Sequence, residues 1–268
     1  MSRVGAYAAK TDTGRKRRRN EDAFVLAPPL FAVADGMGGA QAGEVASKLA
    51  AAALEDTDAG RLTGPAKVAS LIQEANRRVH ERSSSDPTTS GMGTTMTVAL
   101  VEDGGVVIGH VGDSRAYLVR GGQIEQITED HSLVNELLKS GKLSSVEADT
   151  HPQRSVITRA VGTDPDVDVD SFIVEPQDGD VFLICSDGLT DMVTDSAILE
   201  TVERYHGNLE RMTKQLVAAA NKGGGEDNIT VVAFSIGDQD GAAELGDTAT
   251  MEAVSHAPDD KTTENVQV

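Results

Sequence analysis

Four aspartates stand where predicted buried strands begin or end. They are Asp35, Asp113, Asp187 and Asp227. Like charges that converge in a partly dry site must either take up protons or be neutralised by cations. Carboxylate oxygens are the ligands of hard ions such as Mg²⁺, Mn²⁺ and Ca²⁺. The alternative is that each aspartate only caps a turn, which Asp-Gly sequences often do.

A basic run lies near the N-terminus, where Arg15–Arg19 lead into the acids Glu21 and Asp22. The simplest interpretation is a solvated charged segment or a weak nucleic-acid patch. The alternative is that one arginine grips an anion beside a metal-linked acid, because a planar guanidinium can bond two phosphate oxygens at once. The pattern alone leaves both interpretations open.

The elements that must position these residues are mainly strands. Apolar runs and Gly-rich turns predict strands at residues 30–34, 94–101, 106–111, 116–120, 123–127, 167–174, 181–185 and 229–236. Apolar stripes at helical spacing predict helices at residues 43–54, 68–79, 133–138, 198–202 and 209–220. Antiparallel hairpins combined with pairs of helices indicate a layered α+β domain.

The composition indicates one globular body with an acidic extension. The 268 residues carry a formal charge of −19, which disfavours nucleic acid as a partner. We predict a folded body over residues 1–237, with a net charge of −12, and a disordered acidic tail over residues 238–268, with a net charge of −7.

The cysteine and hydropathy patterns bear on location. Cys185 is the only cysteine, so we predict no internal disulfide and interpret it as a buried apolar residue. The absence of a Cys/His cluster from the sequence argues against a structural zinc site. No apolar stretch reaches the roughly 18 residues of a membrane span, and residues 1–10 lack the apolar core of a secretory signal. We expect a cytoplasmic protein with no membrane partner.

Seven short motifs, taken in order over residues 3–236, resemble the metal-dependent protein phosphatases, which form the protein phosphatase 2C family (bacterial type). Each motif is weak evidence alone, but all seven in one order are highly specific. The motifs are Gly14-x-x-Arg17-x-x-Asn20-Glu21-Asp22, Ala34-Asp35-Gly36-Met37-Gly38-Gly39, Gly91-Met92-Gly93-Thr94-Thr95, Val111-Gly112-Asp113-Ser114-Arg115, Thr128-x-Asp130-His131-Ser132, Ser186-Asp187-Gly188-Leu189 and Gly225-Glu226-Asp227-Asn228-Ile229-Thr230.

This resemblance implies a fold and a metal centre. The fold is a four-layer α-β-β-α sandwich, in which two antiparallel sheets are flanked by helices. The cofactors are two core Mn²⁺ or Mg²⁺ ions and a third ion. Asp35 would bridge the core pair, the backbone carbonyl of Gly36 would bind one ion, and Asp187 and Asp227 would complete the other.

The same resemblance implies roles outside the core pair. Asp113 would hold the third ion together with Asp187 and Ser155, and Ser155 lies in a segment, from about Asp130 to Ala160, that resembles the family's flap. Arg17 would bind the substrate phosphate. Asp22 would orient metal-bound water from behind the ligands, with Glu21 beside it.

The implied reaction is hydrolysis of phosphoserine and phosphothreonine in proteins. Two adjacent cations lower the pKa of a bridging water, whose hydroxide attacks phosphorus in line with the leaving oxygen. Animal members carry a histidine directly after the Asp-Gly, where it is thought to protonate the leaving group. Met37 stands there in this chain and cannot donate a proton, so the general acid is unassigned.

The implied partners are phosphorylated proteins, including serine/threonine kinases, and we expect a monomer. One alternative is a catalytically silent regulatory module of the same fold, which predicts a missing metal aspartate. Another is an unrelated Ca²⁺-binding protein, which needs a complete acidic loop with its closing glutamate. The nearest candidate, Asp166–Asp170, fits better as the start of an alternating strand.

Overall fold

The computed structural model describes residues 3–38, 42–57, 59–144, 147–148 and 151–237. The strands in these residues are β1 (Val4–Asp12), β2 (Asp22–Ala27), β3 (Leu30–Met37), β4 (Gly93–Thr94), β5 (Met96–Glu102), β6 (Gly105–Val111), β7 (Arg115–Arg120), β8 (Gln123–Gln126), β9 (Asp170–Val174), β10 (Val181–Cys185) and β11 (Ile229–Ile236). The helices are α1 (Ala42–Asp56), α2 (Gly64–Ser85), α3 (Leu133–Lys139), α4 (Asp187–Thr190), α5 (Asp195–Tyr205) and α6 (Leu209–Gly223). The predicted tail at residues 238–268 lies outside the described residues.

The strands form two antiparallel sheets. One sheet has the order β1-β11-β10-β7-β8, and the other has the order β2-β3-β5-β6-β9 with β4 paired to β3. The predicted hairpins are confirmed, because β5 pairs with β6 over its whole length and β7 pairs with β8 from Tyr117 to Arg120.

Apolar side chains between the layers explain why the sheets stack. Between the sheets, the ring of Phe234 is stacked on Phe31 at 4.3 Å and on Phe182 at 5.1 Å between centroids. A second cluster joins α1 and α2 to the β2–β9 sheet, and a third joins α5 and α6 to the β1–β8 sheet. The layer order is therefore α-β-β-α, which confirms the predicted fold class.

Helix α2 shows how the sequence pattern sets the packing. The residues of its predicted apolar stripe are all buried in the cluster against the β2–β9 sheet, namely Val68, Leu71, Ile72, Ala75 and Val79. Burying such a face supplies most of a helix's stability in a protein. Cys185 is also fully buried, within β10, as predicted.

Several predicted element boundaries were wrong. Strands β1 and β2 were not predicted, because polar residues interrupt their apolar ones. The strand predicted at residues 94–101 is broken at Thr95, and β9 begins at Asp170 rather than at residue 167. Asp35 lies inside β3 rather than after it, since that strand continues to Met37.

Among the residues that the structure describes, none forms a helix that is both long and apolar enough to cross a membrane.

Candidate active site

The predicted metal aspartates lie together where the two sheets meet. Asp35 is on β3, Asp187 is the first residue of α4 directly after β10, and Asp227 lies just before β11. Asp113 lies in the turn between β6 and β7. Burial raises the pKa of Asp35 well above its ordinary value, and the charges of Asp22, Asp187, Asp113 and Asp227 raise it further. The acids named here are therefore close enough to act on one another's charge.

The break between β4 and β5 fixes the backbone of Asp35. The Asp35 N–H donates to Thr95 Oγ1 at 2.9 Å. Its carbonyl accepts from Thr94 Oγ1 at 2.8 Å and from the Thr95 N–H at 2.9 Å. The interruption at Thr95 therefore turns these two threonines onto β3, where they satisfy the polar groups beside the site.

Gly36 is required by a close approach of β3 to the start of α1. A Cβ atom at this position would lie 2.1 Å from the carbonyl oxygen of Gly43 and 2.5 Å from that of Glu21. Both neighbours are backbone atoms, so neither can move aside cheaply. The Gly36 N–H donates to the Glu21 carbonyl at 3.2 Å, which ties the residue before β2 to the site. The metal bond of the Gly36 carbonyl stays a prediction.

Asp22 is buried behind the cluster and held by two hydroxyl groups. Its Oδ2 accepts from Ser186 Oγ at 2.9 Å and from Thr230 Oγ1 at 2.6 Å. Burial raises the pKa of Asp22 to about 6, although these two hydrogen bonds pull it down. Burial also raises the pKa of the neighbouring Glu21. Ser186 and Thr230 had been given no role from the sequence, although both lie inside its motifs.

Three buried carboxylate oxygens in the cluster have no hydrogen-bond partner, namely the Oδ1 atoms of Asp22, Asp113 and Asp187. An unsatisfied buried carboxylate is costly unless a cation compensates it, so this oxygen-only set fits a hard divalent ion. Within the described residues, no three Asp, Glu, His or Cys side chains are grouped so that they could hold a metal ion by themselves.

Arg17 reaches the cluster from the basic loop. Its Nη2 lies 2.6 Å from Asp227 Oδ2, and about half of its side chain, 52%, stays exposed. Burial lowers the pKa of the Arg17 guanidinium, but the carboxylate of Asp227 outweighs this effect and raises it. One edge of the guanidinium is thus anchored while the rest faces solvent.

Asn228 links the basic loop to the strand that follows Asp227, and no role was predicted for it from the sequence. Its Oδ1 accepts from the Glu21 N–H at 2.8 Å. Its Nδ2 donates to the carbonyls of Thr13 at 2.9 Å and of Arg19 at 2.8 Å. A single buried amide therefore ties both ends of the basic loop to the strand that carries Asp227.

Asp113 is buried in the turn between β6 and β7. Burial, followed by the charge of Asp130, raises its pKa to about 7. Burial and then the charge of Asp113 raise the pKa of Asp187 well above its ordinary value. The two residues are therefore electrostatic neighbours, although they follow different strands.

Asp191 is a further acid that the sequence analysis missed. It lies one helical turn after Asp187, and that four-residue spacing is the signal that could have found it. Burial raises its pKa, and its Oδ2 lies 3.3 Å from Nη2 of Arg154. Ser155, the next residue, is exposed in a turn, and its role as a ligand of a third ion stays a prediction.

The chain is similar in sequence to a known protein family and to named relatives. The family model for Protein phosphatase 2C matches residues 14–221. The serine/threonine phosphatase stp of Listeria monocytogenes is 40% identical over 234 residues, which cover 83% of this chain and 92% of that protein.

Solved structures agree as well. The crystal structure of the Mycobacterium tuberculosis serine/threonine phosphatase PstP superposes with a TM-score of 0.81 at 40% identity, covering 87% of this chain and 98% of that one. A PstP catalytic domain in complex with two manganese ions gives a TM-score of 0.78 at 36% identity, covering 88% and 99% of the two chains. By sequence and by fold, the chain belongs to the protein phosphatase 2C family of metal-dependent serine/threonine phosphatases.

Proposed function

We propose that this chain hydrolyses phosphoserine and phosphothreonine esters in proteins with the help of Mn²⁺ or Mg²⁺. The observation that carries the proposal is the cluster of aspartates with unpartnered buried oxygens beside the half-exposed guanidinium of Arg17. Bound cations would neutralise the cluster, and the guanidinium offers a further positive group where a phosphate could sit. The relatives named above, and the manganese ions in one of them, support the same reaction.

We assign the ions to the residues that the family resemblance implies. Asp35, the Gly36 carbonyl, Asp187 and Asp227 would hold the core pair, and Asp113 with Ser155 would hold a third ion. When bound, such ions act as Lewis acids toward phosphoryl oxygens and make water acidic enough to attack near neutral pH.

The chain's own side chains orient the reacting groups. Arg17 can bond a phosphate oxygen through the part of its guanidinium that faces solvent, while its Nη2 stays on Asp227. Asp22 Oδ2 is occupied by two hydroxyls, which leaves Oδ1 as the atom able to accept a proton from a water in the cluster. Met37 has no transferable proton, so we leave the general acid unassigned.

We further propose that the substrates include serine/threonine kinases and the proteins they phosphorylate, and that the enzyme works as a monomer in the cytoplasm. The relatives' names support the substrate class. The single buried thiol, Cys185, suits a reducing compartment.

The decisive experiment is hydrolysis of a phosphothreonine peptide by the purified full chain, with Mn²⁺ and then with excess EDTA. We expect Mn²⁺-dependent release of phosphate that EDTA stops. Absence of release at every Mn²⁺ and Mg²⁺ concentration, with calorimetry still showing metal binding, would instead favour the catalytically silent module.

A further inference from the structure

The basic loop, Arg15–Arg19, carries more positive charge than the proposed reaction uses, and its backbone is firmly held. The N–H groups of Arg15 and Lys16 both donate to the Gly225 carbonyl, at 2.7 and 3.2 Å. Gly14 adopts a φ of +76°, and a Cβ atom there would lie 2.1 Å from the Asp227 carbonyl oxygen. The loop is thus built directly against the edge of the aspartate cluster.

The five basic side chains of this loop are all exposed, but they differ in their partners. Arg17 pairs with Asp227, and Arg19 lies 3.7 Å from Glu44. Arg15 donates its Nε–H to the Asn221 carbonyl, which is uncharged. Among the described carboxylates, none lies within ion-pair distance of Lys16 or Arg18.

The helix α2 provides the contrast. Its arginines are matched by acids on the same helix or next to it: Arg77 pairs with Glu74 and Glu81, Arg78 with Glu74, and Arg82 with Asp86. A body with a net charge of −12 has ample acids to neutralise its surface cations. The loop beside the active site therefore forms a positive patch, in which Lys16 and Arg18 have no acidic partner among the described residues.

We infer that Lys16 and Arg18, supported by Arg15, form a subsite for acidic residues that flank the phosphorylated serine or threonine of the substrate. The inference rests on the proposed phosphatase activity and assigns it a substrate class, phosphosites embedded in Asp- and Glu-rich sequence. A phosphate held by Arg17 places its neighbouring substrate residues over this loop. The patch also offsets the repulsion that an acidic peptide meets from the rest of the body.

An acidic peptide fits the patch better than a nucleic acid does. A nucleic-acid backbone needs a row of cations along several phosphates, whereas the unpaired charge here is confined to one short loop. The acidic groups around it would repel the remaining length of a polynucleotide.

The test compares two phosphothreonine peptides of equal length, flanked on both sides by three Glu or by three Gln. With Mn²⁺ and at low ionic strength, we expect a kcat/KM about tenfold higher for the Glu peptide, which matches a few exposed ion pairs. The preference should fall below about twofold in 1 M NaCl, where screening acts within about 3 Å.

Variants locate the effect. Lys16→Gln/Arg18→Gln should reduce the preference below about threefold, with kcat/KM for p-nitrophenyl phosphate unchanged. The matched control, Arg61→Gln/Arg204→Gln, removes the same charge far from the site and should keep the preference. Arg61 lies just before α2. The first residue of α2, Gly64, contacts Glu102, which lies at the end of β5 that is far from Thr95 and the site. Arg204 lies near His206, which contacts Gly179. Gly179 in turn bonds Ile236, at the end of β11 that is far from Asp227.

Each outcome is decisive. Equal kcat/KM for the two peptides in the wild type, or a preference that survives in Lys16→Gln/Arg18→Gln, would overturn the subsite while leaving the phosphatase activity intact. Binding of a single-stranded oligonucleotide that depends on Lys16 and Arg18, without peptide discrimination, would overturn it in favour of nucleic acid. No hydrolysis of either peptide or of p-nitrophenyl phosphate would overturn the proposed function itself.

Discussion

Asp22 and Asp35 lie directly opposite each other on the paired strands β2 and β3. Opposed residues in an antiparallel pair have Cβ atoms only about 5 Å apart, and like charges in this arrangement destabilise a sheet. Burial raises the pKa of both carboxyl groups, and each is sensitive to other acids of the cluster. The sheet therefore carries a built-in cost that a bound cation can relieve.

Replacing Asp35 by Asn should separate catalysis from stability. We expect turnover of a phosphothreonine peptide in saturating Mn²⁺ to fall by about 10³-fold, the scale of losing a key electrostatic group. The midpoint of thermal unfolding in EDTA should rise by about 2–4 °C for each kcal/mol of relieved repulsion, and the added stabilisation by Mn²⁺ should shrink. Calorimetric scans with and without Mn²⁺ measure both shifts.

The control for this variant is Asp103→Asn, in the exposed turn between β5 and β6. It removes the same charge at the opposite end of these strands and should change neither the rate nor the response to Mn²⁺. Near-wild-type turnover of Asp35→Asn would contradict the bridging role of Asp35.

Asp113→Asn tests the division between core and third ions. Because the core pair is assigned to other residues, we expect the variant to bind two Mn²⁺ ions instead of three and to lose about tenfold in kcat/KM. Ser155→Ala should lose the same ion. Isothermal titration counts the ions, and loss of all metal binding in Asp113→Asn would refute the division.

The sequence predicted the fold well where apolar patterning was strong. The continuous runs of β10 and β11 and the stripe on α2 lie where predicted, because residues buried on whole faces leave an unmistakable pattern. β1 was missed because it mixes exposed and buried residues. Its place is set by pairing with β11, a long-range contact that a local pattern does not encode.

The same limit applies to the site. Asp113, Asp187 and Asp227 lie at element ends that the apolar runs reveal, whereas Asp35 lies inside β3, and their roles as metal ligands stay predictions. The supporting residues were not assigned, since Ser186, Thr230 and Asn228 act through contacts to Asp22 and Glu21 on strands distant in sequence. Polar partners of this kind follow from the packing of the two sheets and not from spacing along the chain.

Asn228→Ala should weaken both the fold and substrate binding. The change removes three hydrogen bonds of a buried amide, which costs about 2–4 kcal/mol in the free energy of unfolding. Because the loop that carries Arg17 loses its anchor, we expect KM for a phosphopeptide to rise at least about fivefold. Urea unfolding and steady-state kinetics measure the two effects.

Asn76 offers a matched control. Its side chain also makes three hydrogen bonds, with the Gly162 N–H and the carbonyls of Asp164 and Pro165, and it is equally buried. Asn76→Ala should cost similar stability and leave KM within about twofold of the wild type. Equal effects of both variants on KM would show that general destabilisation, and not the anchor, is responsible.

His110 should make the stability of the protein depend on pH. The side chain is buried on β6, where its Nε2 lies 3.0 Å from the Glu129 carbonyl and its Nδ1 lies 2.9 Å from Thr97 Oγ1. Burial, followed by the charge of the nearby His131, lowers the pKa of His110 to about 4. The unfolded chain, with an ordinary pKa of about 6.5, therefore takes up a proton at higher pH than the folded chain.

This difference in pKa sets the direction in which the free energy of unfolding changes with pH. The stabilising contribution of neutral His110 is complete above about pH 6.5 and is lost as the pH falls toward 4, by about 3 kcal/mol in total. His110→Gln should be less stable than the wild type at pH 7, and the two unfolding free energies should converge as the pH falls from 6.5 to 4. Urea titrations at several pH values measure this, with the exposed His206→Gln as control. Parallel curves for His110→Gln and the wild type would show that His110 takes up its proton equally well in both states.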